Sequence, residues 1–229
     1  SDLFKEVYFK DIEDRYNVAM PEVLQVLTDD LCSSVGSLTN SLKIANTLKS
    51  VRNINVNSQT ISTYLTYLEE SFLFNEAKRF DVKGKKYFSY PSKYYCTDMG
   101  LRNVRLNFRQ QEETHAMENI IYNELLARGY SVDVGVVQYT SKGTDGKQHQ
   151  IQCEIDFVVN DGMNKYYIQS ALNIDDANKE KTELRPLTAT RDFFKKVIVT
   201  KTRMKLWLDD SGIIHVGLYD FLLDNSCLK

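Results

Sequence analysis

Cys153-Glu154-Ile155-Asp156-Phe157-Val158-Val159, then Asn160-Asp161-Gly162, then Lys165-Tyr166-Tyr167-Ile168-Gln169-Ser170-Ala171 is the stretch on which the reading of this chain turns. The apolar, β-branched run 155–159 predicts a strand, and strict alternation along it sets Glu154 and Asp156 on one face. Asn160-Asp161-Gly162 has the composition of a hairpin turn, so 165–170 is expected to return alongside as a second strand.

The flanking sequence supplies the rest of a core. Residues 117–128 have a helical period ending at Gly129, with Ile120, Ile121, Leu125 and Leu126 as the expected buried stripe and Glu118 at its edge. Residues 130–139 alternate like a strand, 140–150 form a polar turn, 175–190 read as a helix of mixed charge, and 196–200 and 213–216 as further strands. Helix, three strands, helix and strand make an α/β core.

That outline is the one a metal-dependent nuclease needs. A helix supplies one carboxylate and two neighbouring strands supply the others, so that oxygens converge on Mg²⁺ while a lysine orients the attacking water. Glu118, Glu154, Asp156 and Gln169 are the candidate catalytic residues, with Asp156 and Glu118 as the candidate Mg²⁺ ligands. Where an acid-x-lysine pair would stand, the chain has Gln169-Ser170-Ala171. Gln169 offers one neutral amide oxygen, and Ala171 can neither polarise water nor offset phosphate charge. Lys179 and Lys181 on the following helix are the candidates to replace the lost lysine. The expected site is therefore degenerate, with an active Mg²⁺-dependent nuclease as the alternative and solvated acids on an ordinary hairpin as the plainest account.

The N-terminal half reads differently. Pro21 suits a first helical position before the periodic run Val23, Leu24, Val26, Leu27 and Leu31. A second helix is expected over 38–48, opened by Ser37 or Thr39. Asn57-Ser58-Gln59-Thr60 caps a third, with Ile61, Tyr64, Leu65 and Leu68 on one face. Phe72 to Phe80, a turn at Lys83-Gly84-Lys85-Lys86, and Tyr87-Phe88-Ser89-Tyr90-Pro91 then read as strand, basic tip and returning strand, the shape of a wing. Three helices and a wing predict a helix-turn-helix unit over 21–105, separated from a nuclease-like domain over 106–229 by Asp98-Met99-Gly100-Leu101-Arg102 and the polar run 109–114.

Net charge is −2, from 29 Lys and Arg against 31 Asp and Glu, so no general electrostatic grip on nucleic acid is expected. The basic charge is local. Residues 78–105 hold Lys78, Arg79, Lys83, Lys85, Lys86, Lys93, Arg102 and Arg105 against Asp81 and Asp98, eight minus two, a local excess of six. The functional reading sets the polar face of the third helix, Thr60 and Thr63 included, against DNA, with Lys83, Lys85 and Lys86 on phosphates. Protein contact by the same surface is the other reading, favoured by Glu69 and Glu70 and by the scarcity of Arg or Asn on that face. The aromatic pairs Tyr87-Phe88, Tyr94-Tyr95 and Tyr166-Tyr167 suit either base stacking or core packing.

Cys32, Cys96, Cys153 and Cys227 are widely spaced and no CxxC pair occurs, which argues against a zinc site or a disulfide framework and for a reducing, cytoplasmic setting. No stretch approaches a membrane span. The charged, amphipathic start over 2–16, without an initiating Met, suggests a connector over 1–20 from a preceding domain.

Taken in order, Val7-Tyr8-Phe9-Lys10-Asp11-Ile12, residues 58–68, Lys93-Tyr94-Tyr95-Cys96-Thr97-Asp98-Met99-Gly100-Leu101-Arg102-Asn103, Glu118-Asn119-Ile120-Ile121-Tyr122-Asn123-Glu124-Leu125, Glu154-Ile155-Asp156-Phe157 and Tyr167-Ile168-Gln169 resemble the C-terminal region of prokaryotic AAA-type P-loop ATPases. The resemblance implies a winged helix followed by a PD-(D/E)XK nuclease-like, restriction-endonuclease-like domain, α/β (α+β) in class. It implies an N-terminal ATPase domain as partner in the same parent chain and carries over no settled biochemical role; DNA is the ligand offered by the reading of the third helix and the basic turn. Glu118, Asp156 and Glu154 match nuclease acids; Gln169 and Ala171 depart from the Glu and Lys of an active site. No GxxxxGK[ST] occurs, and Gly143-Thr144-Asp145-Gly146-Lys147 has the wrong spacing for a phosphate loop. The expectation is a nucleic-acid-binding accessory region with an inactive nuclease-like domain, the alternatives being an active Mg²⁺-dependent nuclease and a protein-interaction or oligomerisation module.

Overall fold

The computed structural model describes residues 8–109, 112–142, 146–224 and 226–228. Residues 1–7 of the expected connector, 110–111 of the expected boundary and 143–145 of the expected polar turn lie outside them. Helices α1 (Lys10–Tyr16), α2 (Pro21–Ser33), α3 (Ser41–Arg52) and α4 (Ser58–Glu70) come first. Strands β1 (Phe74–Ala77), β2 (Arg79–Asp81), β3 (Lys86–Tyr87) and β4 (Lys93–Cys96) follow, then α5 (Met99–Arg105) and α6 (Glu113–Ala127). The remainder runs β5 (Ser131–Lys142), β6 (Gln148–Asp161), β7 (Asn164–Ala171), α7 (Ala177–Ala189), β8 (Lys195–Thr200), β9 (Trp207–Leu208), β10 (Ile213–Gly217) and α8 (Leu218–Leu223).

The fold is mixed α+β, and it divides into two compact units, each discontinuous in sequence. Ser1–Ala77 with Tyr90–Asn119 form one, Lys78–Ser89 with Ile120–Lys229 the other. The cuts fall between Ala77 and Lys78, between Ser89 and Tyr90, and inside α6.

In the first unit α2 starts at Pro21, whose missing N–H costs nothing at a helix start, and buries Val23, Leu24, Leu27 and Leu31. Helix α3 begins three residues later than expected. Gly36 N–H donates to the Tyr94 carbonyl, and Thr39 and Ser92 exchange both backbone bonds. Residues 34–37 are thereby held in a turn, with Gly36 at φ 74, and the cap is Asn40, whose Oδ1 accepts from the Lys43 N–H at 2.8 Å. Asn57 caps α4 as expected, its Oδ1 accepting from Thr60 N–H at 2.7 Å. Asp98-Met99-Gly100-Leu101-Arg102 is a helix start. Asp98 Oδ1 accepts from Gly100 and Leu101 N–H at 2.6 and 3.0 Å, and Arg102 is buried.

The second unit is built on an eight-stranded mixed sheet in the order β3-β2-β5-β6-β7-β8-β10-β9. The expected wing contributes its outer half to it. Strand β1 pairs antiparallel with β4 as a separate two-stranded sheet, whereas β2 runs parallel to β5. The central strands are near-continuous apolar runs, as burial on both faces demands: Ile155, Phe157, Val158, Val159, Val197, Ile198 and Val199 are fully buried. Beneath α7, Tyr167, Ala171, Leu187 and Ile198 form one core cluster. On α6 the buried apolar residues are Met117, Ile121, Tyr122 and Leu125, beside the buried polar Glu118 and Asn119, whereas Ile120 is exposed, so the stripe lies one position off the expected one.

One irregularity decides the acid geometry. The β5–β6 register passes from Asp133↔Val158 to Gly135↔Ile155, three residues on β6 against two on β5. This bulge breaks alternation at Asp156-Phe157 and re-aims the side chains there. Gly135 faces it closely: a Cβ there would lie 2.7 Å from Val158 Cγ2 and 2.9 Å from Ile155 Cβ.

Candidate functional site

Each expected acid has a local environment that states its role. Glu118 lies in the first unit. Its Oε1 accepts from Lys93 Nζ at 2.9 Å and from the Tyr95 hydroxyl at 2.6 Å, and all three residues are buried. A carboxylate held by an ammonium and a phenol in a dry setting is a structural ion pair, because losing either partner would strand the other charge.

Asp156 lies in the second unit, at the bulge. The β6–β7 ladder ends at Phe157↔Ile168, and beyond it side chains take over the backbone bonding. Asp156 Oδ2 accepts from Ser170 N–H at 2.8 Å, while Gln169 Oε1 lies 3.4 Å from the donating Asp156 N–H. Gln169 Nε2 reaches Glu183 Oε2 on α7 at 3.5 Å, a long contact. Glu154, half-buried, pairs in register with Val136. Ala171 is packed in the core, where a lysine head would have to be dry. Lys179 donates to Asn173 Oδ1, and both it and Lys181 are exposed.

The donor set of the second unit does not fit the Mg²⁺ centre of a nuclease. Its Asp156 carboxylate already accepts from a backbone amide, Gln169 offers a neutral amide oxygen beside Glu183, Glu154 is half-buried on β6, and no lysine stands where Ala171 is. Among the described residues no group of three or more His, Cys, Asp or Glu could hold a metal ion.

The basic excess also divides. Lys93 is in the ion pair with Glu118. Arg102 Nε donates to the Cys32 carbonyl at 2.9 Å, and Arg105 pairs with Asp29 and lies 4.8 Å from the Phe9 ring centre. These three cations serve the first unit's interior. The remaining five, Lys78, Arg79, Lys83, Lys85 and Lys86, belong to the second unit.

The β2–β3 turn that carries them is closed by Asp81, whose Oδ1 accepts from Lys83 and Gly84 N–H at 3.2 and 2.9 Å. A Cβ at Gly84 would lie 2.3 Å from Asp81 Oδ2, so the carboxylate that closes the turn would have to move. Lys85 takes the left-handed conformation at φ 51. Lys83 Nζ bends back to the Gln138 carbonyl, while Lys85 and Lys86 are exposed.

In the first unit, Thr63 and Thr66 of α4 turn their hydroxyls onto the carbonyls of Gln59 and Ser62 at 3.0 and 3.2 Å. Ser58, Gln59 and Ser62 face Asn40, Leu42 and Tyr90 across a groove of about 360 Å³. Thr60 and Thr63 are half-buried. Of the aromatic pairs, Tyr94-Tyr95 and Tyr166-Tyr167 are buried, whereas Tyr87 is exposed. Glu183, Lys165 and Phe194 were not among the sequence candidates. The helical period gave Glu183 no special place, and Lys165 and Phe194 become neighbours only through strand order.

The Domain of unknown function family DUF8612 matches residues 1–112. An uncharacterised protein of Haemophilus influenzae is 35% identical over 224 residues, covering 97% of this chain and 51% of that protein. The crystal structure of protein VC1899 from Vibrio cholerae aligns over 88% of this chain and 53% of its own, at 12% identity and a TM-score of 0.31. The chain thus spans about half the length of the relatives it matches. Among the described residues no helix is long and apolar enough to cross a membrane.

Proposed function

We propose that this chain is a nucleic-acid-binding accessory region, a winged helix joined to a nuclease-like sheet that holds nucleic acid without cutting it, and that it serves the ATPase domain of a longer AAA-type parent. The order α2, a turn whose Thr39 is bridged to Ser92, α3, α4, β1, hairpin and β4 supports the winged-helix part. In such a unit α4 is the helix offered to the groove.

The observation that carries the binding claim is the β2–β3 turn. Asp81 and Gly84 hold it closed, and the Lys85 and Lys86 ammonium groups stand out in solvent at its tip. Phosphate contacts of this type are sequence-independent and salt-sensitive. Absence of cleavage is supported by the use of Asp156 as an acceptor for Ser170 N–H and by the apolar surroundings of Ala171. The test is binding of labelled duplex and single-stranded DNA across a salt series with Mg²⁺ present, followed by inspection of the DNA for cuts. Affinity falling with salt over intact DNA is expected; cleavage that disappears in Asp156→Ala would replace this reading with that of an enzyme.

A further inference from the structure

Lys165 stands between two rings of the second unit, its Nζ 4.9 Å from the centre of Phe80 and 5.6 Å from that of Phe194. Phe80 packs on Tyr87 with centroids 5.2 Å apart, and Phe194 meets Tyr167 edge-on at 6.2 Å. These side chains come from β2, β3, β7 and the loop before β8, so the row crosses the sheet from its β3 edge to β8.

The row is open to solvent where folding does not need it to be. Tyr87 is 57% and Phe194 41% exposed, and Phe193 and Met163 project almost wholly into solvent. The last two sit just ahead of β8 and β7, which run parallel with Tyr166 opposite Lys195, so both tips are at the same end of adjacent strands. The acids along the row are tied to phenols: Asp133 Oδ2 accepts from Tyr87 at 2.9 Å, and Asp192 Oδ2 from Tyr167 at 2.7 Å. Lys85 and Lys86 adjoin Tyr87 in sequence, and Lys165 sits within the row.

We propose that this row is a track for single-stranded nucleic acid, with bases stacking on Tyr87, Phe194 and Phe193 and phosphates meeting Lys85, Lys86 and Lys165. It rests on the nucleic-acid reading above and narrows it to a strand form and a surface. Alternating rings and cations match unpaired bases on a phosphate backbone, since every base has a face to stack and no base edge is read. A duplex keeps its bases stacked on each other and gains only the lysines. A bilayer could accept the Phe193 and Met163 tips, but not a row that continues across a sheet face to Tyr87.

The test compares Phe193→Ala and Lys165→Ala with the unaltered 229-residue chain. Fluorescence anisotropy would follow a labelled oligothymidylate of about 20 nucleotides and a duplex of equal length, with thermal melting as the check on folding. Phe193→Ala, at a fully exposed position, is expected to melt unchanged and to bind the oligothymidylate about tenfold more weakly, with duplex affinity unaltered. Lys165→Ala is expected to weaken both ligands, whereas Phe193→Ala that leaves oligothymidylate binding unchanged, or lowers both ligands equally, overturns the track while nucleic-acid binding stands. If the unaltered chain binds neither ligand, the underlying reading fails as well. Binding to phosphatidylserine vesicles that is lost in Phe193→Ala, with no oligothymidylate binding, would assign the row to a membrane surface and overturn the proposal.

Discussion

At the scale of single residues, Glu118 and Asp156 illustrate why an acid's identity does not disclose its work. Glu118 neutralises a lysine whose side chain is 5% exposed. Glu118→Ala is therefore expected to destabilise the fold by about 3 kcal/mol or more, since a buried cation loses its counter-charge, while the double change Lys93→Met with Glu118→Leu recovers most of the loss. Denaturant midpoints measure both, and equal stability of Glu118→Ala and the unaltered chain would remove the ion pair's structural role. Asp156 instead bonds a strand that has parted from its neighbour. Tyr87 adds a pH signature. Burial, and then its bond to Asp133, push its phenol up to about 12 from an ordinary value of 10.0. A folded-state value raised in this way contributes stability that is whole below about pH 10 and is lost as pH climbs through the folded value. Titration of phenolate absorbance should find several late-ionising tyrosines, Tyr94, Tyr166 and Tyr167 being pushed up by burial as well; Tyr87→Phe should remove one of them and give a chain whose stability falls less steeply on the alkaline side.

At the scale of elements, the hairpin is the part to alter. Lys85 occupies a left-handed backbone conformation that Asn tolerates well. Lys85→Asn is expected to keep or slightly raise the melting temperature while weakening DNA binding and lowering its salt dependence by about one phosphate contact. A drop in both stability and binding would mean that the side chain serves the fold. The sequence made helices α2, α4 and α7 and strands β5 to β8 legible, because apolar spacing, Asn57 and the Asn160-Asp161-Gly162 turn act locally. Three features were not legible. Helix α5 was hidden because Asp98 and Gly100 read as a break, although Asp98 is its cap. The division of the wing at Lys78 depends on β5 offering an edge about fifty residues downstream, a non-local pairing that no period encodes. The bulge at Asp156 needs Gly135 opposite it, so the alternation that set Glu154 and Asp156 together held only up to that point.

At the scale of the whole molecule, each compact unit takes two separate stretches of chain. A fragment of residues 106–229 would lack β2 and β3 and expose β5, with Val134 and Val136 otherwise fully buried in a sheet interior. An uncovered apolar edge favours association. That fragment is expected to aggregate, whereas the intact chain stays dispersed, and light scattering on both distinguishes them. A monodisperse, cooperatively melting fragment would show that β2 and β3 are dispensable. The net charge of −2 puts the functional claim on a few lysines of the second unit instead of on the molecular field.

The most direct measurement is the affinity of the intact chain for labelled single-stranded and duplex DNA over a salt series with Mg²⁺ present. The account predicts that log affinity for the single strand falls with log salt with a slope of about −2, as three lysine–phosphate contacts require, and that the DNA remains uncut. Binding absent even at low salt, or DNA cleaved in a manner abolished by Asp156→Ala, would contradict it.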